Sequence, residues 1–271
     1  MTQQPTRASA ATRIAFTAVL LIAVADLLTS LVLAVRIFGG SAGVGPVVAA
    51  QFVILLSEAA ALTLILALVL FPFRAGHIAG MIIAVLYTIA LFGVGAFSLV
   101  QVGDLSGAAT MLFSVCFVIA GGAAVYAMRA ARQGQTGVPR LPLVLGLVAI
   151  AVSLLLGFLS PFISGTTGNT GVPLLSLLAS LIPSLAVVLI VVLAAFESLA
   201  TRLTAAGVSV LLALAFGAQA INSLVVVYAR DQALGLLAKT LAVLIAAGLL
   251  VWAALASRKR QRVLVSPQAP Q

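Results

Sequence analysis

The chain has 271 residues, 63% of them hydrophobic and only 7% charged, with a mean hydropathy of +1.32. A soluble domain carries about a quarter charged residues, so this composition excludes a soluble globular protein and predicts an integral membrane protein. The formal charge of +9 does not mark a nucleic-acid binder, because the basic residues stand at the ends of apolar runs rather than along one face.

A transmembrane helix needs about 20 mostly apolar residues. Eight such runs follow in order: 13–38, 47–70, 78–102, 107–129, 141–163, 173–197, 203–228 and 232–256. The expected fold class is therefore all-α, a polytopic bundle of eight transmembrane helices.

Span 1 follows a short tail, residues 1–12, read as disordered. Arg7, Arg13, the apolar run Ile14 to Ile22 and the "AVA" of 23–25 together form a signal-peptide pattern. Cleavage after Ala25 would leave Leu27 to Phe38, too short to span, so a retained helix is expected. Asp26 lies near its centre, with Thr29 and Ser30 on the same face by i, i+3, i+4 spacing. "GGSAGVGP" (39–46) ends the span.

Span 2 carries Glu58 at its centre and Gln51 two turns nearer the outer end. Spans 1 and 2 form a hairpin turning near 42–43, and each acid is about sixteen residues from that turn. At about 1.5 Å per residue both reach the same depth. The two carboxyls are expected to meet near the midplane, with one or both protonated or sharing a proton or cation. Asp26, Thr29, Ser30, Gln51 and Glu58 then read as a polar route from outside to the midplane, or as a hydrogen-bond seam.

"FPFRAGH" (71–77) leads into span 3 and places Arg74 and His77 in an inner loop. His77 is read there as a solvated or headgroup-level residue. "QVGDLSG" (101–107) separates spans 3 and 4, and Cys116 in span 4 is read as a small buried hydrophobe. One cysteine permits no intrachain disulfide, and no metal-ligand spacing exists. Gly76/Gly80 and Gly103/Gly107 have GxxxG spacing near span ends. Gly121, Gly122 and Gly248 are better placed for close helix contact.

"RQGQTGVPR" (132–140) joins spans 4 and 5. In span 6, Pro183 followed by Ser184 predicts a helix break at mid-span, a feature of transporter binding sites. Glu197 and Arg202 are read as interfacial. Span 7 carries Gln219 and Asn222, and span 8 carries Lys239. With the turn near 230–231, Asn222 and Lys239 are expected at matched depth, and Lys239 is the leading counter-charge for Glu58 or Asp26. Arg36 is expected to snorkel.

Eleven basic residues fall at one set of span ends: Arg7, Arg13, Arg74, Arg129, Arg132, Arg140, Arg202, Arg258, Lys259, Arg260 and Arg262. The positive-inside rule puts both termini in the cytoplasm. Arginine far outnumbers lysine in an alanine- and leucine-rich chain. That composition suggests a GC-rich bacterium and its cytoplasmic membrane.

"IAGGAAVYAMRAAR" (119–132) matches "IAAGLLVWAALASR" (245–258) at seven of fourteen positions, 126 residues apart. The offset recurs within one residue elsewhere and aligns Glu58 with Ser184 and Asp26 with Val152 or Ser153. A 4+4 parallel repeat is expected. Its first half covers 13–132, its linker 133–140, its second half 141–258, and a basic, then disordered, tail covers 259–271.

No nucleophile–base set or metal cluster can be assembled, so no enzyme and no cofactor is expected. Paired carboxylates, a lysine and a mid-span proline fit a proton- or cation-coupled transporter of a small or lipidic solute. Short loops and small residues equally fit a non-catalytic accessory or scaffold subunit bound to another membrane protein. The partners expected are the bilayer, a solute or proton, and such a protein, with no nucleic acid.

Overall fold

The structure, a computed structural model, describes residues 9–38, 46–102, 105–133, 138–163, 174–225 and 230–265. They form eight α-helices: α1 (Ala10–Phe38), α2 (Pro46–Leu70), α3 (Arg74–Val102), α4 (Leu105–Arg132), α5 (Arg140–Ile163), α6 (Leu174–Ala195), α7 (Leu199–Val225) and α8 (Arg230–Val265). Six helices among the described residues are long and apolar enough to cross a membrane, and the described apolar parts of α2 and α6 are shorter. The chain is a multi-pass integral membrane protein. Its outward apolar side chains, among them Leu86, Ile89, Phe97, Leu211 and Trp252, are exposed as lipid contact requires.

The helices match the predicted spans to within about a turn, apart from the end of α8. α8 continues to Val265, so the basic cluster after residue 258 is helical rather than part of a tail. Arg, Lys and Gln are strong helix formers and need no core to extend a helix already nucleated. α1 begins at Ala10 because Ser9 caps it, its hydroxyl accepting the Thr12 amide hydrogen at 3.1 Å. α6 runs through Pro183 without a break, because flanking turns hold a helix across one missing bond. The turn near 42–43, Asp104 and the tail residues 1–8 and 266–271 lie outside the described residues.

The helices gather into two compact units. One comprises residues 26–185. Here α3 and α4 form a closely packed hairpin, α5 packs on α4, and α2 packs against α3, α4 and α5. Every residue from Glu58 to Phe71 is buried, as expected of a helix apolar all round. The other unit comprises residues 1–25 and 186–271 and is built on the α7–α8 hairpin.

Close approach within the α3–α4 hairpin rests on Gly95 and Gly107. A methyl at Gly95 would come to 2.7 Å of the Gly107 carbonyl oxygen, and one at Gly107 to 2.6 Å of the Gly95 oxygen. Gly122 and Gly248, expected from the sequence to make close contacts, have open space where a side chain would stand. Gly121 meets Ala84 at an ordinary 3.4 Å. Gly107→Ala should therefore force the hairpin apart and lower stability by about 1–3 kcal/mol. Gly248→Ala should be neutral. Thermal denaturation in detergent distinguishes the two.

Candidate functional site

Glu58 stands midway along α2. It is 1% exposed, and neither carboxyl oxygen has a hydrogen-bond partner. An ionised Glu58 would act electrostatically on two neighbours, the Tyr87 phenol on α3 and the Cys116 thiol on α4. The Tyr87 ring stacks on Phe117 with centroids 4.8 Å apart, which fixes where the phenol stands. Cys116 is fully buried.

A fourth helix adds Ser153. Gly146 of α5 lies against Leu66 of α2, close enough that a methyl at Gly146 would meet Leu66 at 2.6 Å. Two turns along these antiparallel helices bring Ser153 level with Ala59 and Glu58. Ser153 is fully buried, and its hydroxyl, like the Glu58 carboxyl, has no partner. Four helices of one unit thus set a carboxyl, a phenol, a thiol and a hydroxyl around one apolar level.

Asp26 is also buried, in the same unit as Glu58. The two carboxyls do not hydrogen-bond, since both Glu58 oxygens are unpaired. The expected direct sharing of a proton between them is not found. The Thr29 and Ser30 hydroxyls both donate to the Asp26 backbone carbonyl, at 3.0 and 2.9 Å. Satisfied within their own helix turn, they form no open polar route inward. The side chain of Gln51 lies outside those described. Pro183 and Ser184 are half-buried on a continuous α6.

Lys239 belongs to the other unit. Its ammonium stands 4.3 Å from the Phe216 ring centroid, a cation–π contact available to a lysine at this depth. Thr240 meets Gly217 across the hairpin, 3.8 Å from where a Gly217 methyl would be. That register puts Lys239 level with Ala218, so Asn222 lies one turn, about 6 Å, further out. The expected matched pair is therefore offset. Gln219 and Asn222 are both exposed.

Of the two residues read as interfacial, Arg202 is buried instead, 0% exposed. Its Nη1 donates to Ser257 Oγ at 2.5 Å and to the Ala253 carbonyl at 3.4 Å, while Nε and Nη2 have no partner. Ser198 caps α7, accepting the Thr201 amide hydrogen at 3.1 Å, and Arg202 on the first turn bonds to α8. Arg13, at the end of the matching start "SAATR" (9–13), is exposed, so contact with α8 rather than the shared cap decides the burial of Arg202. Glu197 is exposed as expected and accepts from the Thr12 hydroxyl at 2.7 Å.

His77 is 2% exposed on the first turn of α3. Its Nε2 lies 3.0 Å from the Phe71 carbonyl oxygen, and its Nδ1 has no partner. The ring therefore caps carbonyls left open where α2 ends. Among the described residues no group of three or more metal-ligating side chains occurs.

Comparison with known protein families, with curated proteins and with solved structures finds no match. The site is interpreted on its chemistry alone. An unpartnered buried acid carries a desolvation cost of about 1–3 kcal/mol. Glu58→Met, which fills the same space without that cost, should stabilise the protein by about this amount in thermal denaturation.

Proposed function

We propose that the protein is a proton-coupled membrane carrier of a small or lipidic solute, with Glu58 as the group that takes up and releases the proton. The observation that carries this reading is a fully buried mid-helix carboxyl with no hydrogen-bond partner. Helix-to-helix glue requires a partner, and Glu58 has none. An acid kept at that depth against an insertion cost of about 2.5–3.5 kcal/mol marks a working group by default.

A proton fits better than a metal cation. Hard cations take about six oxygens, more than the four that the Glu58, Tyr87 and Ser153 side chains supply together. The apolar surroundings suit a solute with little charge. Both termini would face the cytoplasm, with the arginine-bearing span ends on that side.

The test uses full-length protein in liposomes that enclose a pH-sensitive dye, challenged with a panel of small amphiphilic solutes. A solute that drives a pH change with the wild type should drive none with Glu58→Gln, a near-isostere that folds alike. An undiminished pH change in that variant would overturn the proposal.

One observation favours a second reading, a scaffold or accessory subunit. Gln219 and Asn222 expose two carboxamides on a membrane-spanning helix. Amides at such depth hydrogen-bond across helix interfaces, each worth about 0.6–2 kcal/mol. If α7 docks another membrane protein, Gln219→Leu with Asn222→Leu should leave the chain folded but release the partner, read by native electrophoresis of mild-detergent extracts. An unchanged complex size would exclude this surface.

A further inference from the structure

A cavity of about 340 Å³ opens at the arginine-bearing end of the unit formed by residues 26–185. The α2–α3 turn, the last turns of α4 and the start of α5 enclose it. Leu70, Ala130 and Leu141 supply apolar wall, and His77, Tyr126 and Arg140 supply the polar groups. The proton-carrying reading of Glu58 makes no use of this space.

Three features converge on an anionic ligand. Arg140 lines the cavity and is exposed, so its guanidinium is open to a ligand and suits a phosphate in bidentate fashion. Arg140 also opens α5, whose first-turn N–H groups at Arg140 and Leu141 precede any intrahelical bond. Pro139 before them lines the cavity too and offers no side-chain cap. Arg74, Arg129 and Arg132 stand exposed at the same end of this unit, and its acids, Asp26, Glu58 and Asp104, lie away from that end in the sequence. The rim is thus positive throughout.

The cavity is roughly ten times the volume a single water occupies in the liquid, larger than a bare phosphate needs, and it sets apolar wall beside its basic groups.

We propose that this cavity binds an anionic phospholipid. The phosphate sits on Arg140 and the α5 N-terminus, and the glycerol backbone lies on the apolar wall. Basic pockets between helices on the arginine-rich side of membrane proteins recognise lipids by this chemistry.

The experiment follows the melting temperature of the full chain in mild detergent against added dioctanoyl lipids. Dioctanoyl phosphatidylglycerol should raise it saturably. Arg140→Gln should weaken that apparent affinity about tenfold, as loss of a charge-assisted contact does, while Arg132→Gln, outside the cavity wall, should leave it unchanged. Phosphatidylcholine and inorganic phosphate should give no saturable shift. Equal affinity in Arg140→Gln, or an equal shift from phosphatidylcholine, overturns the site. An equal shift from inorganic phosphate makes it a free-anion site and overturns the lipid assignment.

Discussion

A carboxyl group inside an apolar bundle must find a hydrogen bond, hold a proton or be replaced. Glu58 has taken the second course, in the reading developed here, and the surrounding unit is arranged around that constraint. α2 is buried along its whole described apolar length, so its acid has neither water nor lipid headgroups to turn to. The helices that cover α2 carry Tyr87, Cys116 and Ser153 toward that level, and none of these bonds to the acid. That combination separates a working group from a structural one, since a structural acid would be satisfied at rest.

The covering helices differ in how they achieve their fit. α3 and α4 cross through two glycines that put backbone against backbone. α5 reaches α2 through Gly146, against the flexible end of Leu66, so it is held by side-chain packing rather than by backbone contact. Ser153 rides on that same helix. A modest shift of α5 against α2 would change the distance between Ser153 and Glu58 without disturbing the α3–α4 hairpin. The second unit handles its buried charge in another way. Arg202 keeps two donor bonds to α8, and Lys239 rests its ammonium on an aromatic face.

Most of the fold was legible because each helix announces itself locally. Apolar runs of the right length, broken by Gly- and Pro-rich segments, marked every helix to within a turn, apart from the basic extension of α8. Register between helices was less legible. The expected direct sharing of a proton between Asp26 and Glu58 counted residues from a turn, whereas hydrogen-bond partners are decided by which helices pack. Ser153 was noticed only as an alignment partner of Asp26, because its closeness to Glu58 depends on a contact between α2 and α5 some eighty residues apart. Arg202 and His77 were placed at the surface because charge and span ends usually go together. Their burial follows from partners on neighbouring segments: Arg202 bonds to Ser257 and the Ala253 carbonyl of α8, and His77 to the Phe71 carbonyl at the end of α2. Arg13 shares the S-x-A-T-R start with Arg202 and is exposed, so that start alone does not foretell burial.

The claim that Glu58 holds a proton in the resting protein is the one most directly open to measurement. Infrared spectra of the reconstituted protein at neutral pH should show the carbonyl stretch of a protonated carboxylic acid, and that band should vanish in Glu58→Gln. A spectrum with carboxylate bands only, or a protonated band that survives the substitution unchanged, would contradict the account.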